Sequence, residues 1–499
     1  MTGERMTRTQ FLRRAIAAFC GVVCVAGAAV ALTSVESRSA LLLGAAGMSA
    51  LAGLALTGLA FARRTVWGRA ATIARRVLAR PDAEFESRRI GTALIALGLL
   101  AFVTQIVVLF PRNDRFAGED EEAYLITARE IAESGGTVSF LRSLFSGEFA
   151  EANRHPLYLW LLSGTPEFGT GKFVSALLGL WTMGMVIGLC LQRQVGWLRT
   201  GLLCVMLGLN SAWGRFSVTV GCEVLLVGLV ACVWFQFYGR PFRRPDAGAA
   251  SDLGGRRRVD LSIVWVGVLL SLVWLTKGTG LLLTVGFVLW LALRMRLRDA
   301  TSLALRAASP QGGEATGGRA KTLLAELLLF GAVWVTVASP LLVRNVVRYG
   351  SPFHNVNSWL LFVDEYSDPV DLSESSSTGE AARAYLAGHS VGDILKREVS
   401  GLFWETFILV RSLGPPPFDN ARVLPGGVIA LLAILGWIVS RDEAKWLLLI
   451  WLAICVPMFA WYVPVAAGER FVLPLLVPIL CYTAEGAVHL AGKIAERRA

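Results

Sequence analysis

Residues 91–136 read GTALIALGLLAFVTQIVVLFPRNDRFAGEDEEAYLITAREIAESGG. The first twenty, 91–110, carry no charge and are long and apolar enough to cross a bilayer as one helix. The chain then turns sharply acidic: five of the nine residues from Asp114 to Glu122 are carboxylates. Beyond them Tyr124, Ala128, Ile131 and Ala132 recur at i, i+4, i+7 and i+8, one stripe of an amphipathic helix that Gly135 and Gly136 end. A span followed at once by such a segment makes this a membrane protein. The helix is expected to lie along the membrane surface on its apolar face. A helix dipole accounts for one or two acids at an N-terminus. Four in a row, Glu119 to Glu122, repel one another and raise each other's pKa, which points to a functional use for at least one.

Composition agrees. The 499-residue chain is 55% hydrophobic and 17% charged, with a mean hydropathy of +0.57; these values describe a polytopic all-α membrane protein rather than several soluble domains. The net charge of +11 is no nucleic-acid footprint, because the Arg residues fall in short segments between apolar runs, the cytoplasmic signature of a membrane protein. The eight Cys lie in or beside apolar runs without a CxxC pair, so packed thiols are expected rather than a metal site or disulfide framework.

Alternation of apolar runs and basic loops gives about twelve transmembrane helices with both termini cytoplasmic. Spans at about 15–33 and 40–61, read as a retained anchor rather than a cleaved signal, and the Arg-rich block 62–90 form an N-terminal two-span extension with a basic cytoplasmic loop (1–90). A transmembrane unit follows at 91–492. Its expected spans are 91–110, 171–191, 198–213, 223–239, 261–276, 279–293, 322–341, 426–440, 446–462 and 471–490, with flexible cytoplasmic loops at 240–260 and 294–321. Two large external loops are expected, 111–170 and 344–425. The first holds nine Asp/Glu up to Arg154 against five Arg, the balance of a non-cytoplasmic segment. Within the second, Leu402–Leu413 is apolar but short, which predicts a helix at the interface rather than a crossing.

Several motifs share one side of this topology. Asp120-Glu121-x-x-Tyr124 followed by Ala128-Arg129-Glu130 resembles the first external loop of the GT-C membrane glycosyltransferases. The likeness is to the family 39-like group, which includes protein O-mannosyltransferases and bacterial aminoarabinose transferases. Further elements follow in the family's order: Arg154-His155-Pro156-Leu157-Tyr158, with Leu157 where the family has a second Pro; Gly214 to Thr219 with Glu223 beyond; Trp274 to Gly278; Ser339-Pro340 through Arg344-Asn345 to Pro352; and Glu469 to Pro474. The resemblance covers about 91–490. No single element is specific; their order carries the likeness.

The resemblance implies transfer of a sugar from a polyprenyl-phosphate donor to a lipid-linked glycan, cell-wall polymer or protein acceptor. The site would lie on the non-cytoplasmic face of a bacterial-type inner or plasma membrane, with membrane lipids as further partners. Asp120 is expected as general base, with Glu121 as its alternate or orienting partner; Glu223, Lys277, Arg344, Arg470, His155 and Tyr124 are expected to bind substrate. Charge logic points the same way: Lys277, Arg344 and Arg470 at span ends facing an acidic cluster make a place for a phosphate beside carboxylates. Each alone could equally be a snorkelling cation. Trp160, Trp359 and Trp404 could stack on sugar rings or anchor the interface. No cofactor is expected, and although the carboxylates could hold a divalent metal, no ligand spacing demands one. Phosphate loops, H-E-x-x-H and G-x-S-x-G elements are missing from the sequence. The alternatives are a flippase for lipid-linked oligosaccharide, which predicts charges buried mid-span and paired half-helices, and a degenerate scaffold without catalysis.

Overall fold

The computed structural model describes residues 83–116, 119–239, 262–307, 316–365, 378–416 and 419–496. The two expected N-terminal spans, the basic block up to residue 82 and the loop 240–260 lie outside them. Among the described residues every element is helical. In chain order these are α1 (Ala83–Arg112), α2 (Glu119–Glu133), α3 (Gly136–Ser146), α4 (Pro156–Ser163), α5 (Phe168–Gln192), α6 (Trp197–Gly208), α7 (Ser211–Phe216), α8 (Glu223–Phe235), α9 (Ser262–Thr276) and α10 (Gly280–Ala307). After α11 (Thr316–Tyr349) and a 3-10 turn (Val356–Phe362) come α12 (Thr378–Gly388), α13 (Val391–Ser412), α14 (Val423–Val439), α15 (Ala444–Tyr462), α16 (Glu469–Val472) and α17 (Leu476–Glu496).

Five helical stretches are long and apolar enough to cross a membrane: Ser87–Arg112, Phe168–Gln192, Thr322–Tyr349, Ala444–Tyr462 and Glu469–Glu496. The chain is an integral membrane protein of all-α class. The other five expected spans of the 91–492 unit are shorter apolar helices: Trp197–Gly208, Glu223–Phe235, Ser262–Thr276, Gly280–Arg294 and Val423–Val439. Burial gives one reason that α8 can be short. Nearly all of its side chains, Val224 to Phe235, are buried, so neighbouring helices rather than lipid match its apolar surface.

Four boundaries differ from the sequence reading. The expected span 198–213 breaks at Asn210, whose side chain accepts from the Trp213 N–H (2.8 Å) and caps α7. The expected flexible loop 294–321 is largely helical, since α10 runs to Ala307 and α11 starts at Thr316; its Leu, Arg and Ala residues are strong helix formers. The expected end of a span at 341 is also overrun: α11 continues through Pro340 to Tyr349 and stops at Gly350, where φ is +70°. The apolar stretch expected at 402–413 is the second half of α13, which opens 11 residues earlier on a capping box between Ser390 and Asp393.

Small residues set the helix spacing. Gly91 and Gly98 on α1 meet Gly201 and Gly208 on α6, and a Cβ at Gly98 or Gly208 would run into the partner's backbone. Gly436 on α14 and Gly486 on α17 are pressed against each other's helices in the same way. The aromatic core, Trp213, Trp234, Trp290, Trp451, Tyr482 and Phe287, fills the space behind α8.

The surface helix α2 is placed differently from the expectation. Its apolar side, Leu125, Ala128 and Ile131, is at most 4% exposed, and it packs on α3 and α4 rather than presenting itself to lipid. Tyr124 meets Tyr158 of α4 edge-to-face at 5.3 Å. Lys172 on α5 donates to the Phe110 and Asn113 carbonyls (3.0 and 2.5 Å), and Asn113 donates to the Val218 carbonyl (2.7 Å). These bonds satisfy carbonyls at the end of α1 and fix where the chain departs toward the acidic segment.

Candidate active site

Asp120 stands in the first turn of α2 and is half exposed (54%). One carboxylate oxygen pairs with Arg470 at 2.8 Å, the other with Arg154 at 3.2 Å. Arg154 is itself held from behind. Its guanidinium pairs with Glu151 at 3.3 Å, and the other oxygen of Glu151 accepts the main-chain N–H groups of Asn153 (2.7 Å) and Arg154 (3.0 Å). Burial alone would raise the Asp120 carboxyl, but the hydrogen bond and charge of Arg470, with Arg154 behind them, outweigh it and hold the group below its ordinary 3.8. Asp120 is therefore ionised and partly open to solvent.

A second ion pair lies deeper. Glu223 opens α8 and meets Lys277, in the turn between α9 and α10, at 2.8 Å; their side chains are 10% and 19% exposed. Burial works against the ammonium, but Glu223 outweighs it and keeps Lys277 charged. Tyr124 joins the two pairs. Its hydroxyl donates to Cys222 Sγ (3.2 Å), and burial, with Cys222, Glu223 and Asp120 nearby, pushes its pKa well above 10, so it stays a phenol. Phe471 lies beneath Lys277 (5.7 Å) and Arg470 (5.0 Å). The structure thus brings together Asp120 and Tyr124 of α2, Glu223 of α8, Lys277 of the α9–α10 turn and Arg470 of α16, five residues from four separate segments.

The remaining expected residues sit behind this group. Glu121 points inward, is 4% exposed and accepts the Val220 N–H at 2.8 Å. His155 caps α4, packs edge-on to Trp274 at 5.6 Å and abuts Gly278. Burial lowers its pKa to about 4, helped by the Arg344 charge and opposed by a hydrogen bond to the Trp274 main chain, so it is a neutral imidazole. Arg344 is 2% exposed at the end of α11, near the rings of Tyr349 (5.3 Å) and Phe149 (5.8 Å). Its Nε and one terminal nitrogen have no hydrogen-bond partner among the described residues. Of the three tryptophans considered for sugar stacking, Trp359 is buried, whereas Trp160 and Trp404 are exposed.

Some residues of the site were not singled out from the sequence. Arg154 was visible only as part of a motif, and Glu151 carried no signal beyond its i,i+3 spacing to Arg154. Next to Arg470, Glu469 is 2% exposed and receives Arg422 (2.8 Å), Arg215 (3.0 Å) and Arg411 (3.6 Å). That cluster ties α7, α13 and the segment before α14 to α16, and so fixes where Arg470 projects. Among the described residues no group of three or more His, Cys, Asp or Glu is placed to hold a metal ion.

No family model matches the chain, and comparison with curated proteins returns no match. Among solved structures, the chain is similar to the crystal structure of ArnT from Cupriavidus metallidurans bound to undecaprenyl phosphate, at 15% identity and a TM-score of 0.44. It is also similar to the apo form of that protein, at 16% identity and a TM-score of 0.37. In both cases the match covers 80% of this chain and 59% of the other, so this chain spans less than two thirds of its neighbour's length.

Proposed function

We propose that this protein is a membrane glycosyltransferase that moves a sugar from a polyprenyl-phosphate donor to an acceptor hydroxyl on the non-cytoplasmic face, with inversion at the anomeric carbon. The observation that carries this reading is the pairing of an open, ionised Asp120 with Arg470, directly beside the Glu223–Lys277 pair. A base for the attacking hydroxyl and cations for a departing phosphate are thereby within one group of side chains.

The reaction in this reading is a single displacement at the anomeric carbon. The acceptor O–H gives its proton to Asp120 as its oxygen attacks the anomeric carbon. The bond from that carbon to the phosphate oxygen breaks, and the polyprenyl phosphate leaves with the electron pair. Arg470 and Lys277 stabilise that charge as it develops. Attack from the side opposite the phosphate inverts the configuration, as one carboxylate acting as base dictates.

Arg470 has two anionic partners to choose between in this scheme. Its pair with Asp120 is more than a third exposed on both sides, so exchanging one partner for another costs little. When a donor phosphate takes Arg470, Asp120 loses its strongest stabilising partner and its pKa climbs. Donor binding thereby makes the carboxylate a better base. In this scheme Tyr124, a phenol that rests on Cys222 Sγ at 3.2 Å, turns its hydroxyl to a sugar or phosphate oxygen when the donor binds.

The flippase alternative predicts charges buried in mid-span. Arg215 and Glu223, the nearest candidates in the sequence, instead stand in the last turn of α7 and the first of α8. The test is turnover: purified protein in lipid nanodiscs, given a polyprenyl-phosphate sugar and a panel of candidate acceptors, glycosylates an acceptor and releases polyprenyl phosphate, and Asp120→Asn lowers the rate by roughly a thousandfold. Unchanged turnover in the variant overturns the assignment.

A further inference from the structure

A cavity of about 340 Å³ lies on the second external loop. Asp364, Tyr385, His389, Asp393, Lys396 and Arg397 line it, from the end of the 3-10 turn, α12 and the first turns of α13. None of them was singled out in the sequence, and none belongs to the Asp120 group.

Arg397 builds the wall. Its side chain is 6% exposed; it donates to the Trp461 carbonyl (3.0 Å), the Val363 carbonyl (2.8 Å) and the Tyr385 hydroxyl (2.9 Å), and lies over the Trp461 ring at 4.5 Å. One guanidinium thus joins three segments into a fixed surface. On that surface His389 stacks on Tyr385 at 3.9 Å, its Nδ1 bonded to the Tyr385 carbonyl (2.8 Å) and its Nε2 to Asp364 (3.1 Å). Asp364 keeps a carboxylate in the open, at 59% exposure, and Lys396 is exposed beside it.

The balance of these groups selects the ligand. Two carboxylates face two permanent cations, and the His389 imidazole on Asp364 adds at most one positive charge, so the cavity carries little net charge. A phosphate would meet Asp364 and Asp393, and a metal cation would meet Arg397 and Lys396. A neutral molecule dense in hydroxyls, each able to donate and accept, satisfies both kinds of group at once, and the volume is that of a small-ligand site. The position is equally telling. Trp461 in the wall is followed by Tyr462, whose ring packs on Phe471 at 5.8 Å, and Phe471 underlies Arg470 and Lys277.

We infer that this cavity is a subsite for a neutral sugar ring of the acceptor, joined to the Asp120 group through the rings of Trp461, Tyr462 and Phe471. The inference rests on the glycosyltransferase reading. It is tested on full-length protein in nanodiscs by saturation-transfer NMR with a panel of methyl hexosides and methyl pentosides, and with a glucose phosphate as the charged probe. At least one neutral glycoside gives transfer to the wild type. The signal falls at least fivefold in Asp364→Ala/Lys396→Ala and persists in Asp120→Asn. Both altered side chains are solvent-exposed, and an unchanged melting temperature checks that the variant is folded. No glycoside binding to the wild type, binding that survives the double substitution, or preferential binding of the sugar phosphate each overturns the inference. Donor turnover is measured separately, so loss of this subsite with donor cleavage intact fails the inference alone, and absence of donor cleavage fails the reading beneath it.

Discussion

Asp120 and Glu121 are neighbours with opposite surroundings, and helix geometry is the reason. Successive residues turn by about 100°, so when Leu125, Ala128 and Ile131 settle against α3 and α4, Glu121, one turn before Leu125, is carried inward and Asp120 is left at the rim. The sequence offers four consecutive acids and cannot choose among them until the phase of α2 is fixed. Lys277, Arg470 and Tyr124 were legible because each stands in a recognisable motif; Glu151 was not, because its role depends on how a loop folds back on itself. Two predictions belong at this scale. Since Arg470 is the strongest partner holding Asp120 below 3.8, Arg470→Ala raises the acid limb of kcat/KM in a pH–rate profile and lowers turnover by about a hundredfold; an unmoved limb contradicts the pairing. His155 is neutral when folded, with its pKa brought from 6.5 to about 4. The unfolded chain therefore takes up a proton on acidification before the folded one does. Its share of stability is complete above pH 6.5 and is lost progressively as pH falls to about 4, by roughly 3 kcal/mol. Melting temperatures of His155→Gln should fall less steeply over that window than those of wild type.

At the scale of elements, the apolar periodicity located the spanning helices and α2, but not the short α3, α4, α7, α12 and α16, nor what each apolar face would meet. The stripe on α2 reads the same whether it faces lipid or protein, and only the arrival of α3 and α4 decides. The break at Asn210 was hidden for a related reason: the run on either side is continuously apolar, and the cap depends on a single side-chain bond. Close helix pairs were equally invisible, because glycines at Gly98 and Gly208 gain meaning only once α1 and α6 lie together. Gly98→Leu is expected to force these helices apart and lower the melting temperature by several degrees, as overpacking of a tight interface does. Gly169→Ala, with open space around its α-carbon, should leave stability nearly unchanged. Equal effects of the two would remove the argument from close approach.

The whole molecule places its ion pairs at two ends. One end holds Asp120, Glu223, Lys277, Arg470 and the arginines around Glu469. The other joins Arg294 to Glu443 at 2.7 Å, with side chains 7% and 3% exposed, and Tyr482 to Asp442 at 2.8 Å. A buried pair is strongly destabilising to break because one charge is left behind. Glu443→Ala should therefore cost about 3 kcal/mol of stability while leaving KM for the donor unchanged, which separates the structural end from the proposed catalytic one. Alternating basic and acidic segments let the sequence assign the site to one end of the bundle; the three-dimensional meeting of α2, α8, the α9–α10 turn and α16 could not be read from spacing. The central claim is that Asp120 takes the acceptor's proton while Arg470 and Lys277 receive the phosphate. Its most direct test is single-turnover transfer from a polyprenyl-phosphate sugar in nanodiscs, comparing wild type with Asp120→Asn at equal donor occupancy. The account predicts donor binding within a few-fold of wild type and transfer slowed by roughly a thousandfold; transfer at the wild-type rate would contradict it.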